Sequence, residues 1–111
     1  MNLGEQLAKE YLLGQGLQFV EANFRLRMGE IDLIMKDGET LVFVEVKYRT
    51  SERWGTSVEQ VTGRKIQKIK RVAQGYLQGY FQDAPYVRFD VIGISPCGAG
   101  YRFNWVKGAF E

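Results

Sequence analysis

Gly29-Glu30-Ile31-Asp32-Leu33-Ile34-Met35-Lys36-Asp37-Gly38-Glu39-Thr40-Leu41-Val42-Phe43-Val44-Glu45-Val46-Lys47 reads as two β-strands folded back on each other by a tight turn. Asp37-Gly38 is a strong hairpin signal, because it supplies the positive φ angles of a type I′ turn. From Leu41 to Arg49 the apolar Val42, Val44 and Val46 alternate with Phe43, Glu45, Lys47 and Arg49, so the last four share a face. With Asp37-Gly38 as a two-residue loop, Lys36 falls opposite Glu39, Asp32 opposite Phe43 and Glu30 opposite Glu45. Directly opposed residues point to the same side of a sheet. Glu30, Asp32, Glu45 and Lys47 then crowd one surface, with Asp32 diagonal to Glu45.

That crowding suits a cation better than it suits a fold. Like charges opposed across strands cost roughly 0.2–1 kcal/mol per pair. Lys47 and Arg49 offset part of this, and a hard divalent ion offsets more. Mg²⁺ (or Mn²⁺ in its place) takes oxygen ligands, commonly one or two carboxylates completed by waters and substrate phosphate. The bland alternative is a solvated strand face with alternating charges. Phe43 and Ile34 argue against it, because they lie on the same face and imply that it is covered. A slip of one residue in register would reverse the conclusion by flipping every side chain.

Outward from the hairpin, Asn2 followed by Glu5 reads as a capping box opening a helix over about Leu3 to Leu13. Leu3, Leu7 and Tyr11 form its apolar stripe, widened by Ala8 and Leu12. Glu5 borders that stripe, so it can close the cap or reach toward the acidic site. A strand is expected from Leu17 to about Leu26, then Met28-Gly29 turns into the Glu30–Met35 strand; Arg25 and Arg27 solvate this turn or meet substrate. Residues 50–57 form a polar loop around Trp54, which packs on the domain edge or stacks on nucleic acid. A helical turn is expected over 57–61. Thr62 caps a second helix running to about Phe81, with Ile66, Ile69, Val72, Ala73, Tyr76, Leu77 and Tyr80 at helical spacing as core contacts. Asp83-Ala84-Pro85 stops that helix. Tyr86 to Ile94 and Tyr101 to Val106 are two further strands. Asp90 is read as an ion-pair partner of Arg88 or of a nearby lysine. The order α-β-β-β-α-β-β predicts one α/β sandwich over residues 1–111, a central mixed sheet flanked by helices. The second helix serves as a right-handed crossover between parallel strands.

Composition narrows the chemistry. The chain has no histidine, which removes Ser-His-Asp and Cys-His hydrolases and histidine-ligated zinc enzymes. Its single cysteine, Cys97, rules out an internal disulfide and a multi-cysteine zinc site. Hydrolysis by this chain must therefore use carboxylates, lysine and metal. No apolar run reaches the ~20 residues of a membrane helix, and no signal-peptide pattern is visible, so the expected compartment is the cytoplasm, with no membrane partner. A net charge of +2 says little, but its distribution says more. Between Gln60 and Gln82 there is no acidic residue, while Arg64, Lys65, Lys68, Lys70 and Arg71 crowd the first half. Cations near a helix start oppose the macrodipole, so an anion such as phosphate is expected there. A solvated face on an amphipathic helix is the competing reading.

Taken in order, Glu5, Gly29-Glu30-Ile31-Asp32, Val44-Glu45-Val46-Lys47 with Arg49, and the basic helix from Arg64 resemble the PD-(D/E)-x-K nuclease superfamily. Within it they are similar to archaeal-type Holliday junction resolvases. Over nearly its whole length the chain resembles the YraN family of small, nuclease-like bacterial proteins. The resemblance implies a restriction-endonuclease-like fold. It also implies metal binding by Asp32, Glu45 and the Val46 backbone carbonyl, with Glu30 and Glu5 as further ligand candidates, and Lys47 as the catalytic lysine beside catalytic Asp32 and Glu45. The Gln-x-x-x-Tyr signature of an exonuclease branch is missing, since Gln67 precedes Arg71 and Gln74 precedes Gln78. The expectation is thus a Mg²⁺-dependent endonuclease acting on DNA, branched or structured by analogy, and working as a homodimer by the same analogy. Arg49, Arg64, Lys65, Lys68 and Arg71 would hold the nucleic-acid backbone. The alternatives are a non-catalytic nucleic-acid-binding module on the same scaffold and a protein-interaction module.

Overall fold

A computed structural model of the chain describes residues 1–49, 62–80 and 86–111. The elements are α1 (Leu3–Gly14), β1 (Gln18–Leu26), β2 (Gly29–Asp37), β3 (Thr40–Tyr48), α2 (Gly63–Tyr80), β4 (Tyr86–Cys97) and β5 (Gly100–Phe110). The five strands form one sheet in sequential order. All neighbours are antiparallel except β3 and β4, which are parallel and flank α2 in the sequence. This is the expected α/β arrangement, with the two helices packed against separate cores. The Trp54 loop, the turn at 57–61 and the stop at 83–85 lie outside the described residues.

Strand alternation builds both cores at once. Val42 and Val44 join Leu33, Met35, Ile92 and Ile94 against Ala8 and Leu12 of α1. Phe43 joins Ile34 and Leu41 against Ile69, Val72, Ala73 and Tyr76 of α2. The buried line of α1 runs through Gly4, Glu5, Ala8 and Leu12, so the stripe expected through Leu3 is rotated; Leu3 itself is 55% exposed. The cause is close approach: a Cβ on Gly4 would stand 2.9 Å from Tyr48 Cβ. Only glycine lets the start of α1 lie against β3 at this distance. Gly4→Ala is expected to push α1 off the sheet and cost about 1–3 kcal/mol, measured as a lower midpoint in urea with an unchanged slope. On α2, Tyr80 departs from the core as well, at 67% exposure, although its ring stays 5.2 Å from that of Tyr76.

The hairpin at the centre needs one correction. Asp37 pairs with Thr40 and Lys36 with Leu41, so the loop is Gly38-Glu39 rather than Asp37-Gly38. Gly38 takes φ +63°, and Glu39 is not among the residues with positive φ. Positive φ at the first loop position alone is the pattern of a type II′ turn, whose twist suits a hairpin as well as type I′ does. Every pairing expected across β2 and β3 is therefore displaced by two residues. Glu30 is not opposite Glu45, and Lys36 is not opposite Glu39. An even displacement preserves the faces, and it brings Asp32 rather than Glu30 level with Glu45 where the Leu33–Val44 pairing is carried one step further.

Candidate metal centre

Asp32 sits where two strands change face. Ala22 and Leu33 pack into the α1-side core, whereas Phe24 and Ile31, two residues along each strand, pack on the α2 side. The β1–β2 pairing passes over Asn23 and Asp32, between Ala22–Leu33 and Phe24–Ile31. Asn23 has φ +53°, a left-handed conformation that asparagine tolerates better than most side chains. This local inversion separates β2 from β3 beyond Leu33–Val44, the last pairing of their ladder. The Asp32 carboxylate fills the gap and accepts the Val46 N–H at 2.9 Å.

Glu45 and Lys47 follow Phe43 along the α2-facing side of β3, as the alternation requires. Glu45 is only 4% exposed. Its Oε2 lies 3.5 Å from Lys47 Nζ and is ion-paired with Lys65 Nζ from the first turn of α2. Asp32 and Glu45 are close enough for Glu45 to act on Asp32 through a hydrogen bond and through its charge. Burial, then the hydrogen bond and charge of Glu45, raise the Asp32 pKa to about 8, with the Val46 amide opposing and Glu5 adding to the rise. Lys47 is shifted below its ordinary value by burial and by the adjoining Lys65, against the pull of Glu45. Lys65 moves the other way: burial opposes it, but Glu45 keeps its proton more firmly bound than usual.

Behind this pair stands a second acidic layer. Asn23 Nδ2 donates to Glu5 Oε1 and to Glu30 Oε1, both at 3.0 Å. Glu5 also completes the helix cap, accepting the Asn2 N–H at 3.0 Å while Asn2 Oδ1 accepts the Glu5 N–H at 2.8 Å. Of the two readings of Glu5 the cap is present, and the oxygen that closes it also accepts from Asn23. Glu30 is joined by the exposed Arg25 at 3.4 Å. Among the described residues no three carboxylates or thiols converge as a ready ligand cage. The side chains here that could hold a metal ion are thus two, Asp32 and Glu45. That donor set fits Mg²⁺ or Mn²⁺, which keep several waters and add substrate oxygens, better than Ca²⁺, which takes six to eight ligands. A buried and a half-buried carboxyl group held close together, the latter retaining a proton it would lose in water, are what a cation between them would relieve.

The remaining basic candidates divide. Lys65 lies in the carboxylate cluster itself. With Thr62, Arg64 and Lys68 it also lines an open depression of about 300 Å³. Arg71 is exposed farther along α2. Arg49 anchors the end of β3 by donating its backbone N–H to the Ile94 carbonyl at 2.8 Å, and its Nη2 is buried without a hydrogen-bond partner among the described residues. Sequence reasoning missed Asn23, although a residue that tolerates the left-handed conformation inside a strand is a readable signal. It also missed the ion pair of Lys65, for which no local spacing could stand in, because it depends on where α2 crosses the sheet.

Comparison with known proteins agrees in one direction. Residues 4–94 match the family described as Uncharacterised protein family UPF0102. The chain is 44% identical over 108 residues to a UPF0102 protein of Stutzerimonas stutzeri, covering 96% of this chain and 90% of that one. It is 44% identical over 112 residues to one from Vibrio campbellii (99% and 90% covered) and 46% identical over 110 residues to one from Vibrio vulnificus (97% and 88% covered). No helix among the described residues is long and apolar enough to cross a membrane.

Proposed function

The chain belongs to the UPF0102 family, the group resembled as YraN, and for it we propose a Mg²⁺- or Mn²⁺-dependent nuclease that hydrolyses phosphodiester bonds in DNA. The observation that carries this reading is the proximity of the Asp32 and Glu45 carboxyl groups, with Lys47 Nζ 3.5 Å from Glu45 Oε2 on the central strand. Asp32 and Glu45 hold the cation, and the Val46 carbonyl completes the protein's share. When bound, such an ion polarises a phosphoryl oxygen and lowers the pKa of a coordinated water. Lys47 holds and orients the attacking water. The Val46 N–H fixes the direction of the Asp32 carboxylate, and Asn23 ties Glu5 to Glu30 beside it. Arg49, Arg64, Lys68 and Arg71 supply contacts to the sugar-phosphate backbone, which add affinity without base specificity. Branched or structured DNA is the proposed substrate class, and a homodimer the proposed working form, both by analogy with resolvases.

One observation favours a second reading, a non-catalytic binding module. Lys65 is ion-paired with Glu45, one of the two candidate ligands. The two readings part on a single experiment. Purified protein is incubated with linear, flapped, four-way and single-stranded DNA, with and without Mn²⁺. The nuclease reading expects Mn²⁺-dependent cleavage that Lys47→Ala lowers by about 10²-fold or more, the scale of a lost positioned catalytic group. Cleavage that survives in Lys47→Ala refutes the assignment. Salt-sensitive binding with no cleavage supports the module instead.

A further inference from the structure

Resting on Asp32 and Glu45 as the cation site, we propose that Lys65 is an exchangeable internal counter-cation. It occupies the Glu45 carboxylate until a divalent ion takes that carboxylate, and is then released onto the phosphate of the substrate. The geometry at Glu45 is the starting point. One buried oxygen, Oε2, serves the ammonium groups of both Lys47 and Lys65. The two lysines are not equivalent. Lys47 stands on β3 with its side chain 20% exposed, whereas the Lys65 side chain is 43% exposed and reaches inward from the surface of α2. Its backbone is fixed by the cap, with the Lys65 N–H donating to Thr62 Oγ1 at 3.3 Å, so the flexible four-carbon stem is what can move.

Charge counting gives the direction of movement. With both carboxyl groups ionised, as metal binding requires, Asp32 and Glu45 balance two ammonium groups, so an added divalent ion would leave two uncompensated positive charges in a half-buried space. A phosphodiester and an attacking hydroxide would cancel them. A divalent ion and an ammonium on one carboxylate oxygen repel each other strongly at these distances. Lys65 has somewhere to go, because Thr62, Arg64 and Lys68 line the open depression with it. Those neighbours offer a hydroxyl and two further cations, a set suited to phosphate oxygens.

Lys65→Met keeps most of the stem and removes the charge. Lys68→Met removes a neighbouring charge on α2, whereas the ammonium groups paired with Glu45 are those of Lys47 and Lys65. Titration of the full chain with Mn²⁺ alone, without nucleic acid, is expected to show about five- to tenfold tighter binding in Lys65→Met, and less than about a twofold change in Lys68→Met. Binding of a linear duplex is then compared in Ca²⁺ and in EDTA. Lys65→Met should weaken it at least about threefold in Ca²⁺ and leave it unchanged in EDTA, whereas Lys68→Met should weaken both alike. Melting curves establish that both variants are folded. If the wild type binds Mn²⁺ and Lys65→Met binds it no more tightly, or if Lys65→Met loses duplex affinity equally in EDTA, the exchange is refuted. If the wild type binds no Mn²⁺, the metal reading beneath it is refuted as well.

Discussion

Asp32→Asn is expected to abolish Mn²⁺-dependent cleavage, by about 10³-fold or more, and to make the metal-free protein more stable at pH 8. The two effects share one cause. Asp32 has its pKa raised to about 8 by burial and by contact with Glu45. Between about pH 4 and pH 8 the folded chain therefore holds a proton that the unfolded chain has released. Stability falls as pH rises through that window and levels off above it. Asparagine copies the neutral form at every pH: its Oδ1 can accept the Val46 N–H, and its amide can donate to Glu45. The variant should melt ~5–10 °C above wild type at pH 8, with the gap closing toward pH 4. Saturating Mn²⁺ should raise the wild-type midpoint and leave the variant unmoved. A variant that is less stable than wild type at pH 8, or that still cuts, refutes the account. If the variant is both more stable and inactive, the site keeps function at the expense of stability.

The parts of this arrangement that were legible in the sequence are those set by short-range periodicity. Alternation placed Phe43, Glu45 and Lys47 on one face of β3, and all three lie on the α2 side. The two-residue error in the hairpin did no harm to that conclusion, because faces depend only on whether a displacement is odd or even. Caps were legible for the same local reason: Asn2 with Glu5, and Thr62 with Lys65. What stayed hidden depends on three-dimensional meeting points. The positive φ of Asn23 reverses the faces of two strands, so Ile31 and Leu33 enter different cores although strict alternation would put them together. The approach of Lys65 to Glu45 depends on the path of the α2 crossover. The depth of Asp90 depends on β5, whose indole and bulged backbone arrive from fifteen to eighteen residues away.

That depth makes Asp90 the position where a substitution should harm the fold most while sparing the cation site. Its carboxylate is fully buried, at 0% exposure. It receives Arg88 Nε at 2.9 Å and Nη2 at 3.0 Å, Trp105 Nε1 at 2.9 Å and the Gly108 N–H at 3.0 Å. Gly108 reaches it with φ +58°, beside the irregularity between Phe89 and Val91 in the β4–β5 pairing. Arg88 in turn holds Asp37 at 3.0 Å, so the ends of β2, β4 and β5 are stapled through one guanidinium. The ion pair expected between Arg88 and Asp90 is thus present, as the centre of a larger network. Asp90→Ala would orphan the indole N–H, the Gly108 N–H and two of the nitrogens of the half-buried Arg88, at a cost of about 3–5 kcal/mol. A urea titration should show this as a large loss of midpoint. Asp90→Asn keeps the acceptor oxygen and should cost less, leaving enough folded protein to assay. In the sheet Asp90 is level with Val44, which packs toward α1, whereas Glu45 and Lys47 face α2. The folded Asp90→Asn variant should therefore keep wild-type Mn²⁺ affinity and cleavage. If it is folded but inactive, the aspartate acts in the chemistry, and the two faces of the sheet are not functionally separate.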